Sequence, residues 1–291
     1  MTYSIVARDA GSGELGVAVQ SHWFSVGAVV PWARAGVGAV ATQANAQVAY
    51  GPRALDRLEQ GETAPDVLAR LVAEDPQRAA RQVAIVGADG AAAARTGAAC
   101  MQFAGDIQGE GVSCQANIMT SAGVWPAMLD AFTTTAGTLT DRLLAALDAA
   151  ERAGGDLRGR QSAAILVVPA GGEPWETVTA LRIEDHPDPL AELRRLVRLD
   201  QAYRLAARAD DCLAEGRHPE AARLFLDATQ LAPECDELQF WAGLGAAQVG
   251  DIDAGLVRVR AAIAAHAGWR ELLGRLTPEV APSARAVLDR L

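Results

Sequence analysis

The sequence predicts an α+β domain followed by a small all-α domain, and three observations carry that reading. The chain opens with paired strand patterns, its later strands come in groups with helices in pairs, and beyond Asp188 the texture changes to alanine-, arginine- and leucine-rich helix with few β-branched residues. A length of 291 residues agrees with one medium and one small unit, since domains typically hold ~100–200 residues. The boundary falls at 1–197 and 198–291.

Taken in order, Thr2 to Val6 and Leu15 to Gln20 suit strands, with Asp9 to Gly13 as turn material between them. Val26 to Val30 and Gly36 to Thr42 are short apolar runs without a polar alternate face, broken by Pro31 and Gly36, and are expected as buried strands. Helices are expected from Pro52 to Gln60 and from Pro65 to Glu74, where Leu55, Leu58, Val67, Leu68 and Leu71 recur at helical spacing. Gln82 to Val86, Asp89-Gly90 and Ala91 to Thr96 read as a hairpin, and Gly97 to Gly111 as an irregular glycine-rich stretch. Helices over Val124 to Phe132 and Leu139 to Arg152, the second ended by Gly154-Gly155-Asp156, precede strands over Ala163 to Val168 and Thr177 to Ile183. In the tail, Gly216 and Gly250 lie 34 residues apart between helical patterns, and Pro233 ends a helix. That period is tetratricopeptide-like, an architecture whose grooves bind peptides.

Composition narrows the function. A formal charge of −10 without a basic stripe argues against nucleic acid, and no run approaches the ~20 apolar residues of a membrane span. The start, Met1 to Val6, has no basic region or cleavage pattern, so the expected location is cytoplasmic. Cys100, Cys114, Cys212 and Cys235 lack metal-like spacing, so neither zinc nor a disulfide is expected, and no cofactor motif is present. All 26 basic residues are arginine, which excludes a lysine base, Schiff base or phosphate-loop lysine.

Thr2 is the residue with chemistry in it. A small side chain at position 2 permits removal of Met1, leaving a hydroxyl nucleophile and a free α-amine on one residue. The amine has a reference pKa of ~7.7–8.0, which suits a general base. Threonine at this position is common, so spacing alone is weak evidence.

The stretches Thr2 to Asp9, Gly13 to Val19, Val26 to Ala44, Arg81-Gln82-Val83, Gln115-Ala116-Asn117, Gly154 to Ala163 and Asp185-His186-Pro187 closely resemble domain of unknown function 1028, an uncharacterised family assigned to the Ntn-hydrolase superfamily. The resemblance covers about residues 2–197. It implies a four-layer αββα sandwich with the nucleophile at the start of the first strand, which the hairpin-first reading fits. The resemblance implies that family members carrying signal peptides would be cut just before the matching threonine, which supports Thr2 as a mature N-terminus. The sequence departs from the family pattern at Phe103, Asp106 and Ala116.

The resemblance implies hydrolysis of an amide-like C–N bond in a small molecule, with Thr2 as nucleophile. Arg34 lies where relatives carry a tuning lysine and is a candidate for the charge but not the proton transfer, since its pKa exceeds 12. His22 is a candidate for either role, with a structural role as its alternative. Backbone N–H groups around Gln43, Ala44 and Asn45 are expected to face the oxyanion, with Asn117 as the side-chain candidate. Gln115 joins Gln43 and Asn45 as an expected substrate contact, and Asp156 and Arg160 sit in a loop suited either to a carboxylate or to a structural ion pair. A homo-oligomer is compatible with this fold. The alternative reading is a non-catalytic scaffold whose helical-repeat tail binds a peptide or protein partner.

Overall fold

The structure, a computed structural model, describes residues 2–291; Met1, whose removal the sequence predicts, lies outside the described residues. The chain divides into two compact units, one ending at Arg194 and the other running from Arg195 to Leu291.

In the first unit the strands are β1 (Thr2–Arg8), β2 (Leu15–Ser21), β3 (Pro31–Arg34), β4 (Gly38–Ala44), β5 (Arg81–Gly87), β6 (Ala92–Thr96), β7 (Gly105–Gly109), β8 (Val112–Asn117), β9 (Ser162–Val168) and β10 (Thr179–Ile183). They form two antiparallel sheets, one of six strands in the order β10-β9-β2-β1-β8-β7 and one of four in the order β3-β4-β5-β6. The helices are α1 (Tyr50–Glu59), α2 (Ala64–Glu74), α3 (Val124–Thr134) and α4 (Leu139–Arg152).

The hairpin of β1 and β2 forms because apolar seven-residue runs flank a turn that Asp9 organises, its carboxylate accepting from the N–H groups of Gly11 and Ser12. Both faces of β1 are covered, so it is buried almost throughout instead of alternating. On one face Val6, with Val17 and Val19 of β2, packs against Ala39 and Ala41 of β4 and Ala84 and Val86 of β5. The two sheets therefore meet face to face, and each buried valine contributes about 1.5–3 kcal/mol relative to exposure. The outer face of the smaller sheet, through Val40, Val83 and Ile85, receives Leu55 of α1 and Val67, Leu68 and Leu71 of α2. On the larger sheet α4 packs over β1 and β2, and α3 over β7 and β8.

Helix ends follow local chemistry. Thr63 caps α2 by accepting from the Asp66 N–H, and Thr138 and Asp141 form a reciprocal capping box on α4. That helix stops at Gly154, with φ 112°, where a Cβ would collide with the Thr120 hydroxyl.

Two expectations are corrected. Val26 to Val30 is not a strand: Val26–Ala28 is a 3-10 turn entered through Ser25 in the left-handed region, and the strand starts only at Pro31. Proline fits there as the first residue of an edge strand, where no ladder N–H is needed. Gly97 to Gly111 is not wholly irregular, because it contains β7, which pairs with β8. β8 itself, Val-Ser-Cys-Gln-Ala-Asn, is buried at every position although half its residues are polar.

The second unit is helical. Helix α5 (Pro189–Ala214) spans the division, and α6 (His218–Leu231), α7 (Asp236–Gln248), α8 (Ile252–Ala265), α9 (Gly268–Arg275) and α10 (Ala284–Leu288) follow. Gly216 turns the chain between α5 and α6 and Gly250 between α7 and α8. Ala202, Ala206 and Ala209 pack with Leu224, Phe225 and Leu238 in one apolar cluster. Phe240, Leu244, Val259 and Val287 belong to another, where Phe240 stacks on Trp269 at 4.9 Å.

Packing is close between α1 and β3, where a Cβ on Gly51 would come within 2.2–2.4 Å of three atoms of the Trp32 indole. Gly51→Ala is expected to cost about 1–3 kcal/mol through overpacking, read as a lower denaturation midpoint with unchanged m-value.

Candidate functional site

Thr2 opens β1 between two buried neighbours. The β1–β8 register sets it opposite Asn117, and the β1–β2 register, Tyr3 opposite Gln20, extends to place it opposite Ser21. The hydroxyls of Thr2 and Ser21 lie 3.1 Å apart, and both residues are buried. Strand alternation turns Thr2 and Ser4 toward the four-stranded sheet and Tyr3 toward α4.

Between the sheets these side chains meet a layer of buried amides. Gln82 of β5 is its centre: its Oε1 accepts from Gln43 Nε2 at 2.7 Å and from Asn117 Nδ2 at 2.9 Å. Its Nε2 donates to the Ala116 carbonyl at 2.9 Å and to Thr96 Oγ1 at 2.8 Å. Gln43 also accepts from Ser4 Oγ at 2.7 Å, and Ser4 accepts from Gln115 Nε2 at 2.6 Å. Longer contacts of 3.4 Å run from Gln43 Nε2 and Asn117 Nδ2 to the Thr2 carbonyl. Each buried amide has partners, which keeps the layer from being a stability cost. Its outer end is Asp106, accepting from Thr96 Oγ1 at 2.6 Å.

A cavity of about 300 Å³ opens beside Thr2, walled by Trp23, Val26, Val29 and Val30 on one side and Gln43, Ala44, Asn45 and Ala46 on the other. Ala44 has φ 65°, a left-handed conformation costing a non-glycine residue about 1–3 kcal/mol. Strand alternation fixes where its N–H points. The N–H of Thr42 donates to Val30 on the β3 side and that of Asn45 to Ala80 on the β5 side. The Ala44 N–H therefore turns to the β3 side beyond the end of that strand, toward the cavity wall at Val29 and Val30.

The Asn45 turn is held from outside. Its carbonyl accepts from Arg81 at 2.5 Å, and Arg81 donates through Nε to Asp75 at 2.8 Å, with both charged side chains under 9% exposed. Asp75 also accepts from the Tyr50 hydroxyl and the Gln77 N–H. The Arg81 hydrogen bond, then those of Gln77 and Tyr50, outweigh burial and hold the Asp75 carboxyl below its ordinary range. Burial and the Asp75 hydrogen bond push the Tyr50 phenol up to about 12.

The structure brings together Thr2, Gln43, Asn45 and Asn117, and places Gln115 one residue farther, tied to Ser4. Gln115 is fully buried with its amide spent on Ser113 and Ser4, so the expected substrate contact is replaced by a structural one. The Asn45 N–H, expected among the oxyanion donors, is consumed by Ala80. His22 follows Ser21 and its N–H donates to Asp156 at 3.1 Å; its Nδ1 is buried with no hydrogen-bond partner among the described residues.

His22, Gln115 and Asn117 do not line the cavity, and three further expected residues are engaged elsewhere. Arg34 lies at the far end of the β3–β4 ladder, opposite Gly38, where it pairs with Asp56 at 2.8 Å and Glu59 at 2.7 Å on α1. It serves as an anchor for that helix and not as the tuning charge. Asp156 is spent on the N–H groups of His22 and Arg158 and on the Arg158 guanidinium. Arg160 pairs with Glu151 and Asp188, and Glu151 accepts from the Tyr3 hydroxyl on the other side of β1. Burial and Glu151 raise the Tyr3 phenol well above its ordinary value, so it remains a donor. Cys100 and Cys114 offer no rival nucleophile: burial pushes both thiols up, away from thiolate character.

Sequence reasoning missed Ser21, Gln82 and the Asp75–Arg81 pair. Gln82 carried a readable signal, a glutamine directly before the apolar run Val83 to Val86; Ser21 carried none beyond its position before His22.

Gln82→Leu strands the amides of Gln43 and Asn117, with an expected cost of about 2–4 kcal/mol, measured by chemical denaturation. Asp75→Asn breaks a buried pair and is expected to cost about 3–5 kcal/mol at neutral pH. Because the folded pKa of Asp75 is depressed, its stabilisation is complete above the unfolded value of ~3.9 and is lost as pH falls through the lower folded value. The stability gap between the two proteins should therefore narrow in melts taken below pH 4.

Comparison with known proteins adds the family. A family model, Family of unknown function (DUF1028), matches residues 2–193. A crystal structure of a Silicibacter pomeroyi protein carrying the same family model is 33% identical, with a TM-score of 0.62, covering 68% of this chain and 88% of that one. Anbu (ancestral beta-subunit) from Yersinia bercovieri overlaps at 12% identity and a TM-score of 0.35, covering 66% of this chain and 91% of its own, too low an overlap to carry an argument. No curated protein matches. With the family pattern running from Thr2 through residue 193 and a family member one third identical across that span, the chain belongs to the Family of unknown function (DUF1028).

Proposed function

We propose that this protein is an N-terminal-nucleophile hydrolase that cleaves an amide-like C–N bond of a small molecule, with Thr2 as the mature N-terminus. The observation that carries the reading is the Thr2 hydroxyl at the cavity, beside Ser21 Oγ and across from a strained Ala44. The packing of α1 and α2 on one sheet, of that sheet on the other, and of α3 and α4 on the outer face supports a four-layer αββα sandwich with the nucleophile on its first strand.

The steps follow from these groups. The Thr2 Oγ1 attacks the substrate carbonyl carbon while the α-amine takes its proton, and Ser21 Oγ, 3.1 Å away, is placed to relay it. The developing oxyanion receives a hydrogen bond from the Ala44 N–H; loss of such a donor typically costs on the order of 10²–10³ in rate. The C–N bond then breaks, the leaving nitrogen takes the proton, and water hydrolyses the ester on Thr2. Asn117 and Gln43 act behind this geometry as positioning residues, holding the Thr2 carbonyl and so the direction of its side chain. With no lysine in the chain and Arg34 tied to α1, the charge environment of the amine differs from a lysine-tuned site. His22, one residue past Ser21, is the nearest candidate for that tuning.

The tail is read as a tetratricopeptide-like repeat from its two helix-turn-helix units around Gly216 and Gly250 and its own apolar clusters. A scaffold built on a retired catalytic fold would use the same tail and would tolerate loss of Thr2.

The intact mass of untagged protein is expected to lack Met1. Against a panel of small amides, ureides and lactams, Thr2→Ala should lose at least about 10³-fold in kcat/KM, and Thr2→Ser should keep measurable turnover. Thr2→Ala should cost only about 1 kcal/mol of stability, for the lost hydrogen bond to Ser21. Retained Met1, or undiminished activity in Thr2→Ala, would sink the assignment.

A further inference from the structure

We infer that the cavity beside Thr2 selects an uncharged, apolar acyl group of aryl or branched-alkyl size, so that the substrates are amides of hydrophobic carboxylic acids; this rests on the hydrolase reading above. The polar groups at the cavity are Thr2 of β1 and the Ala44 N–H at the end of β4, with Gln43 and Asn45 lining the space beside them. Segment 23–30 contributes the apolar side chains of Trp23, Val26, Val29 and Val30, and Ala46 on the opposite side adds a methyl group. Among the described residues no charged side chain lines the space. The guanidinium of Arg81, which holds the Asn45 turn, is spent on Asp75 and on the Asn45 carbonyl.

This division orients a substrate. A carbonyl attacked by Thr2 with its oxygen toward the Ala44 N–H sits at the polar end, and the substituent on its acyl carbon continues between Val26, Val29 and Val30. A carboxylate or ammonium on that substituent would lose its water and find no counter-charge, which is prohibitive without pairing. An apolar substituent gains by leaving water. Size agrees as well: an apolar cavity of about 150 Å³ is enough to hold benzene, and this one is about 300 Å³. Trp23, 62% exposed, stands at the mouth, where an indole can cover a bound ring.

The test separates binding from chemistry by using the full-length Thr2→Ala protein, in which bound amides persist. Dissociation constants for phenylacetamide, acetamide, succinamate and glycinamide are measured by calorimetry or ligand-observed NMR. Phenylacetamide is expected to bind at least tenfold tighter than each of the others. Adding Trp23→Ala, a change at an exposed side chain, should weaken phenylacetamide at least threefold and leave acetamide unchanged; Val29→Glu should abolish the preference, with a melting curve checking that it folds. Affinities equal within twofold, or tightest binding of succinamate or glycinamide, overturn the selectivity whatever the wild-type protein hydrolyses. An intact phenylacetamide preference in a wild-type protein that cleaves no amide overturns the Thr2 chemistry alone.

Discussion

Gln82 stands on the inner face of the four-stranded sheet and hydrogen-bonds into the six-stranded one, and the candidate site depends on that bridge. Its carbonyl oxygen receives Gln43 from its own sheet and Asn117 from the other, while its amide nitrogen reaches the Ala116 carbonyl. Apolar packing of valine on alanine brings the sheets together without direction, and would tolerate small slides between them. Hydrogen bonds between buried amides do not tolerate them, because a slide leaves donors and acceptors unpaired where no water reaches. The polar layer thus sets the relative position of β1 and β4, and with it the distance from Thr2 to Ala44.

The strain at Ala44 belongs to the same arrangement. A left-handed alanine persists only where its surroundings over-determine it. Here Gln43 is locked into the amide layer on one side, and Asn45 is pinned by Arg81 and the Ala80 carbonyl on the other. The Asp75–Arg81 pair lies outside the cavity, yet it holds the turn that aims a backbone N–H inward. Charged residues around the site act as anchors: Arg34 on α1, Asp156 on the His22 backbone just after β2, Arg160 on Glu151 of α4. The cavity itself is left to hydroxyl, amide and apolar groups.

What the sequence by itself determined is the material with a local physical cause. The β1–β2 hairpin, the β5–β6 hairpin and the pair α1 and α2 were legible because apolar spacing and turn residues act within a dozen positions. Leu139–Arg152 was legible at its end, since a glycine break is written locally. The family resemblance marked Thr2, Gln43 and Asn117, residues that the fold does bring to one place.

Tertiary structure alone decided the rest. β8 was invisible because its Ser, Gln and Asn look like loop, and become strand only where a second sheet supplies amide partners. Val26 to Val30 looked like strand, yet the chain turns there because Ser25 takes a left-handed conformation and the Ser162 hydroxyl accepts from the Val26 N–H. Arg34, Asp156 and Arg160 had the right chemistry for a site and were assigned elsewhere by carboxylates and amides distant in sequence. A charge is functional or structural according to whether a partner has already neutralised it, and that partner is chosen by the fold rather than by neighbours along the chain.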